Sequence, residues 1–379
     1  MKKALATILA LVMALSVTTM AWADDVAKID GTGYATLQEA VNAANNGQTI
    51  VLQSDVVLTA SLNVAADKTV TLDLNSYKIT ADMNGPHMIC NAGNLTITDS
   101  SANKTGEIAK IGAETNFGYV IENHGTMTLD RCKISSTSVK SSAIENGWYT
   151  ASANTAGTSC TMTIQNAEVV SVNADGGLYT VKNDDYGVMV INGGVFTNDV
   201  AGAGAVLNWN DLTINGGTFT GASAVRTLKS GSSDFETGKS QIKNGTFNGG
   251  IDTLDGYKTG ITIAVTGGTF STDVTGYLGE GKVLQKNGDT YTAVTNSAIT
   301  SGTYTSEPTV PSGYKATKND DGTWTVSKVS YYYYQPTTDT KTTDTKGSPK
   351  TFDAGIALYV GMALTSAAGV AFVGKKRED

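Results

Sequence analysis

The stretch LTINGGTF at residues 212–219 decides the fold, because degraded copies of it recur along the chain. Each copy places an apolar residue five positions ahead of a second one. The pairs are Leu129 with Ile134, Ile164 with Val169, Ile191 with Phe196, Ile214 with Phe219, and Ile242 with Phe247. This constant spacing predicts short strands that repeat with the same side chains in the same places.

A second element lies upstream of these pairs and consists of an aliphatic residue, any residue, and then Asn. It occurs as Ile89 with Asn91, Ile121 with Asn123, Ile144 with Asn146, Val181 with Asn183, and Val206 with Asn208, and Val225 with Thr227 continues the series. An inward Asn at a bend can satisfy main-chain groups and pair with the Asn of neighbouring coils. We therefore expect stacked coils with an Asn ladder.

The alternation inside the strands, as in Val70-Thr71-Leu72, places aliphatic side chains on one side and threonine on the other. A unit of two or three short strands cannot bury its apolar face alone, so such units stack. The pattern over residues 29–270 resembles the right-handed parallel β-helix of the pectate-lyase-like superfamily. The resemblance implies an all-β solenoid for residues 24–270 and no particular activity. A Greek-key sandwich with chance repeats is the alternative.

Both ends of the predicted solenoid carry capping signals. Thr36 and Glu39 form a capping box ahead of an amphipathic pattern, which predicts a short N-terminal capping helix at 36–45. Within residues 271–334 the pattern changes to β-hairpin units, with turns at Asn287-Gly288 and Asp321-Gly322. An uncapped coil exposes unpaired strand groups, so we expect these segments to close the solenoid.

The two termini carry targeting signals. Two lysines precede an apolar run and a small-x-small pattern ending at Ala23, which predicts a signal peptide of residues 1–23 that signal peptidase removes. Residues 354–374 are uncharged and are followed by three basic residues, which predicts a membrane span with the body outside the cell. Residues 335–347, rich in Thr, Asp and Lys, read as a tether.

Just before this span stands the sequence Ser348, Pro349, Lys350, Thr351, Phe352. With the span and the basic tail, residues 348–379 resemble the cell-wall sorting signal of Gram-positive surface proteins, a variant of the LPXTG type. The resemblance implies that a sortase cleaves after Thr351 and joins it to cell-wall peptidoglycan. Ser348 and Phe352 replace the usual leucine and glycine. If no sortase accepts them, the span itself anchors the chain, and in both cases the protein is extracellular and held at its C-terminus.

Composition excludes several classes of protein. Between the two processing points the chain carries 22 Lys and Arg against 32 Asp and Glu, which argues against binding nucleic acid or an anionic membrane surface. Cys90, Cys132 and Cys160 are odd in number, so no disulfide framework explains the fold. His87 and His124 are the two histidines and lie far apart in the chain, so we expect no metal site and no cofactor.

The residues that follow each repeated Asn are expected along one edge of the solenoid. They are His124, Trp148, Tyr149, Tyr186 and Trp209, with Asp184, Asp185 and Asp211 beside them. Aromatic rings stack on sugar faces and carboxylates accept hydroxyl hydrogen bonds, so this edge predicts a non-enzymatic adhesin or structural solenoid that binds extracellular glycans or host surface proteins. The alternative is that these aromatics cover coil ends beneath loops.

A catalytic interpretation rests on a second row. Glu122 and Glu145 occupy the same outward position on adjacent coils, and Lys182 and Arg226 continue it. Two carboxylates so placed lie near the separation used by retaining glycosidases, and a lysine is a candidate base for a lyase. The alternative function is therefore a polysaccharide lyase or glycoside hydrolase. Because a row of surface charges is also ordinary on a solenoid, we assign no catalytic residue from sequence.

Overall fold

The computed structural model describes residues 25–112, 116–138, 140–148, 157–172, 178–229 and 238–331. The predicted signal peptide, tether, sorting sequence and membrane span lie outside these residues, as does Tyr149. Within the described part of the chain, no helix is long and apolar enough to cross a membrane. Residues up to Val329 form one compact unit, and only Ser330 and Tyr331 of the unit that follows are described.

The described chain winds through nine coils of parallel strands that form three faces. The first face contains β3 (Thr49–Leu52), β6 (Thr69–Asp73), β9 (Asn94–Thr98), β16 (Gly187–Ile191), β19 (Asp211–Ile214), β21 (Lys239–Ile242) and β23 (Thr262–Val265). The second face contains β4 (Val56–Val57), β7 (Lys78–Ala81), β10 (Glu107–Lys110), β17 (Gly194–Asn198) and β24 (Thr269–Phe270). The third face contains β5 (Leu62–Val64), β8 (Ile89–Asn91), β11 (Ile121–Asn123), β13 (Ile144–Asn146), β15 (Tyr179–Asn183) and β18 (Gly204–Asn208).

Four longer strands turn a corner and serve two faces. They are β12 (Thr126–Ser136) and β14 (Cys160–Ser171), which join the first and second faces, and β20 (Thr218–Thr227) and β22 (Thr246–Asp252), which join the second and third. Each strand pairs with its counterparts in neighbouring coils, as Ile191 does with Ile164 and Ile214. The predicted all-β parallel solenoid is therefore confirmed.

The core consists of ladders of identical or similar side chains. Phe196, Phe219, Phe247 and Phe270 occupy one inward position of successive coils, and their rings stack at centroid separations of 4.9, 5.0 and 4.9 Å. All four are at most 1% exposed. The spacing equals the separation of adjacent strands, so the backbone pairing itself sets the ring stacking. The five-residue spacing in the sequence is the origin of this ladder.

The predicted Asn ladder is also present, on the third face. The Nδ2 atom of Asn91 donates to Oδ1 of Asn123 at 2.7 Å, and the same bond runs from Asn123 to Asn146, from Asn146 to Asn183 and from Asn183 to Asn208. Each of these amides also donates to main-chain carbonyls at the bend. Because a buried amide without partners is costly, the ladder makes Asn the residue that fits every one of these bends.

The N-terminal cap is a strand pair and a helix. Helix α1 (Leu37–Ala43) begins after Thr36, whose Oγ1 accepts from the N–H of Glu39 at 3.2 Å while Glu39 Oε2 accepts from the N–H of Thr36 at 3.1 Å. The predicted capping box is confirmed, and the helix is shorter than the predicted 36–45. Its buried face packs on β5, and β1 (Ala27–Ile29), which pairs with β2 (Thr32–Tyr34), adds antiparallel to β3.

The C-terminal cap is an antiparallel sheet. Its strands are β25 (Lys282–Asn287), β26 (Thr290–Thr295), β27 (Gly302–Tyr304), β28 (Tyr314–Lys318) and β29 (Trp324–Lys328). Parallel pairing ends at β24, because β26 pairs antiparallel with it. Both predicted hairpins form, although the first turn consists of Gly288 and Asp289, one residue later than predicted. The strand β27, which lay between the two predicted hairpins, joins them into one sheet.

Candidate functional site

A row of eight outward residues crosses the third face in register. From the first coil to the eighth they are Asn63, Cys90, Glu122, Glu145, Lys182, Leu207, Arg226 and Asp252. The repeat places Glu122, Glu145 and Lys182 on consecutive coils, as the sequence suggests. Outward positions on a solenoid are normally open to water, but Tyr119, from the segment that precedes β11, covers the middle of this row.

Glu145 lies beneath such a covering, so the expectation that it is a surface charge is wrong. The residue is 1% exposed, and its neighbours Tyr119 and Asp184 are 1% and 4% exposed. Lys182 Nζ lies 3.8 Å from Glu145 Oε1 and contacts Asp184 Oδ2 directly. The covering residue Tyr119 comes from the segment that precedes β11, and Asp184 comes from the bend that follows β15. A lysine and two carboxylates are thereby enclosed together.

This burial changes the charge of the cluster. The pKa of Glu145 is raised to about 9, mainly by burial and also by the nearby Asp184, against the opposing effect of Lys182. Glu145 therefore holds a proton at neutral pH. The proton removes one negative charge from the enclosed space in which Lys182 contacts Asp184.

Two imidazoles converge on Glu122 at the next coil. His87 Nε2 lies 3.3 Å and His124 Nε2 3.8 Å from Glu122 Oε1, and all three side chains are about one-fifth exposed, at 24%, 23% and 19%. The main-chain N–H of Tyr119 donates to His87 Nδ1 at 2.9 Å, so the proton of neutral His87 is on Nε2, the nitrogen that lies toward Glu122. Burial raises the pKa of Glu122 and lowers that of His124 to about 4.

The hydrogen bond to His87 bears on metal binding by the two imidazoles. In the described part of the chain, no three His, Cys, Asp or Glu side chains are arranged to hold a metal ion. The bond to Tyr119 gives a reason, since it leaves the proton of neutral His87 on Nε2, the nitrogen that faces His124 and Glu122. A metal ligand needs its lone pair on the nitrogen that faces the metal.

The predicted aromatic edge is only partly open. Trp148 stacks on His124 at 3.7 Å with the ring planes 1° apart, and the main-chain N–H of Trp148 donates to the carbonyl of Asp185 at 2.9 Å. Trp209 meets Tyr257 edge to face at 5.9 Å. Asp184 and Asp185 are 4% and 3% exposed, so their carboxylates do not face the solvent, and Tyr186 is half-buried. The edge therefore brings Trp148 and His124 together but separates Trp209 from them.

A cleft of about 310 Å³ opens beside this edge, and sequence reasoning missed it. One wall is helix α1, with Gln38 and Asn42, and His124 lies opposite. Asn63 and Cys90, the first two residues of the row, also line the cleft. The only hint in the sequence is a change of side-chain size at one position of the repeat. The residue after the third-face strand is alanine in the first two coils and His124 in the third.

Comparison of the chain with models of protein families, with curated proteins and with solved structures finds no match in any of the three. The chemistry of the site is therefore the basis on which a function is assigned.

Proposed function

We propose that this protein is a non-enzymatic β-solenoid displayed at the cell surface, where its third face binds extracellular glycans. The observation that carries the proposal is the burial of Glu145 and Asp184, at 1% and 4% exposure, against Lys182. A catalytic carboxylate must touch the substrate or a water molecule beside it. Burial closes these two carboxylates off from the solvent, where they lie against Lys182 beneath Tyr119.

The ends of the sequence support a location outside the cell. A signal peptide cleaved after Ala23 exports the body, and the sequence at 348–352 with the span at 354–374 retains it, through a sortase and peptidoglycan or through the span itself. A solenoid closed at both ends suits this setting. Its stability comes from ladders inside the coils, and its caps hide the strand edges that otherwise promote aggregation.

Glycan binding is supported by the side chains that remain accessible. Amide groups of α1 and the first coil lie near the stacked rings of His124 and Trp148, and this combination of hydrogen-bonding groups and rings is suited to sugars. The acidic body disfavours polyanions as partners. Host surface proteins that carry such glycans are partners of the same kind.

The full chain, purified in detergent, is to be applied to an array of extracellular glycans and glycoproteins. We expect saturable binding in which each glycan is recovered unchanged. Absence of binding to every glycan and glycoprotein on the array would refute the proposed function.

A polysaccharide lyase or glycoside hydrolase is the second candidate, because Glu122 is partly exposed, has a raised pKa and contacts two imidazoles. Incubation with pectins, alginates and mucin glycans tests it through the appearance of unsaturated products or new reducing ends. If products form and Glu122→Gln abolishes them, the enzymatic function replaces the one proposed. If none form, the binding function stands.

A further inference from the structure

The cleft beside α1 is shaped by a change of side-chain size along one column of bends. The residues directly after the third-face strands of the first, second and third coils are Ala65, Ala92 and His124. The two alanines are exposed and leave a depression, and His124 ends it as a wall, backed by the ring of Trp148. Helix α1 closes the opposite side. The cleft therefore has an apolar floor between two polar walls.

The helix wall is held in place by hydrogen bonds across the cap. Gln38 Nε2 donates to the carbonyl of Asn63 at 3.0 Å and to Asn42 Oδ1 at 2.9 Å, while Gln38 Oε1 accepts from the N–H of Asn63 at 2.8 Å. Lys68 Nζ donates to the carbonyl of Asn42 at 2.7 Å. These bonds fix the lining before any ligand arrives, which reduces the entropy lost on binding.

The same bonds leave a donor and an acceptor available to a ligand. Asn42 uses its Oδ1 on Gln38, so its Nδ2 group remains a donor at the cleft. Asn63 uses Nδ2 on the carbonyl of Ser61 at 3.0 Å, so its Oδ1 remains an acceptor. A hydroxyl group both donates and accepts, and a vicinal pair of hydroxyls matches two such amides.

The cleft is electrically neutral. None of the described side chains that line it carries a charge at pH 7, since burial lowers the pKa of His124 to about 4 and raises that of Cys90 to about 11. An anionic ligand would therefore lose hydration here without gaining a cationic partner. A volume of about 310 Å³ is at the small end of ligand pockets and suits a single ring.

We propose that this cleft binds one neutral pyranose unit of an extracellular glycan, with hydroxyl groups on Asn42 and Asn63, a C–H face on the methyl groups of Ala65 and Ala92, and the ring of His124 as the end wall. The inference rests on the proposed glycan-binding function and assigns that binding to the cleft beside α1. It also assigns a specificity for neutral sugars over uronic and sialic acids, because no Lys or Arg lines the cleft and the ammonium of nearby Lys68 is bonded to the carbonyls of Asn42 and Ala44.

The test uses the full chain in detergent and measures its affinity for glycans that end in neutral hexose, in uronic acid or in sialic acid. Ala92→Trp fills the floor of the cleft and is expected to weaken binding of neutral glycans at least about tenfold, which corresponds to about 1.4 kcal/mol. Asn42→Ala removes one hydrogen bond and is expected to weaken it about three- to tenfold. Ala102→Trp, at an exposed alanine that does not line the cleft, is the matched control and should leave binding unchanged.

Thermal melts establish whether each variant folds. If Ala92→Trp does not fold, Asn42→Ala still tests the cleft, because Asn42 is at an exposed helix position. Neutral glycans that bind equally well to the parent, Ala92→Trp and Asn42→Ala proteins would overturn the cleft assignment and leave the proposed function standing. Preference for uronic or sialic acid would overturn the specificity. If the parent binds no glycan at all, the proposed function fails, and the cleft assignment fails with it.

Discussion

Replacement of Glu145 by Gln is expected to stabilise this protein at neutral pH. Glu145 is 1% exposed, and burial raises its pKa to about 9 from 4.5. In the unfolded chain the carboxyl ionises near its ordinary pKa, so the folded state binds one more proton between the two values. The contribution of Glu145 to stability is therefore fully present below about pH 4.5 and is lost as the pH rises toward about 9.

The size of the effect follows from this difference. Between the two pKa values, each pH unit lowers the free energy of unfolding by about 1.4 kcal/mol. At pH 7 the raised pKa of Glu145 therefore lowers the free energy of unfolding by about 3 kcal/mol. Glutamine keeps the shape of the protonated carboxyl and offers an N–H to Asp184 in place of the O–H, without needing to bind a proton. The amide carries a second N–H, and a donor near the Lys182 ammonium is unfavourable, so part of this gain is lost. We expect a net gain on the order of 1–3 kcal/mol at pH 7.

Guanidinium chloride unfolding at pH 5.5, 6.5, 7.5 and 8.5 measures both quantities. Relative to Glu145→Gln, the parent should lose stability with rising pH, because only the parent has the Glu145 carboxyl to ionise. Glu168→Gln is the matched control, because Glu168 is 50% exposed and pairs with Lys133 at 3.1 Å, and its effect should stay within about 1 kcal/mol with no change of slope. Equal slopes in the parent and Glu145→Gln would show that Glu145 does not hold the proton.

Three further outcomes are expected. Asn146→Ala breaks two hydrogen bonds of the Asn ladder and leaves their buried partners unpaired, so denaturant unfolding should show a loss of stability of about 2–4 kcal/mol. The same change at exposed Asn248 should cost less than about 1 kcal/mol. Phe219→Ala removes a ring from the middle of the Phe ladder and should cost about 3–5 kcal/mol in the same assay, and a loss below about 1 kcal/mol would contradict the stacking. Thr351→Ala should abolish attachment to peptidoglycan, measured by muramidase release and mass spectrometry of the C-terminus; unchanged linkage would exclude Thr351 as the junction.

Much of the fold was predictable because a solenoid repeats its environment. When Ile191 and Ile214 occupy equivalent positions, the same packing demand appears in the sequence at regular intervals, and the register follows from alignment of the copies. The capping box at Thr36 and Glu39 was equally visible, since both of its hydrogen bonds are local. The joining strand β27 was not predicted, because a three-residue strand has too little periodicity to stand out.

The candidate site was predictable only in part. The shared row of Glu122, Glu145 and Lys182 follows from the repeat, but the burial of Glu145 does not. The side chain that covers it, Tyr119, belongs to a segment inserted before β11, and insertions carry no repeat signal. The proton position on His87 likewise depends on an N–H from residue 119, which is 32 positions away.

The sequence by itself determined the solenoid, its inward ladders and its capping helix, because these depend on spacing within and between repeats. The tertiary structure alone decided which outward residues meet water, which carboxyl keeps its proton and where a neutral cleft opens. Those properties arise where α1 and the inserted segments fold back over the coils. Their contacts join residues such as Gln38 and Asn63, which are 25 positions apart, and no repeat in the sequence predicts these contacts.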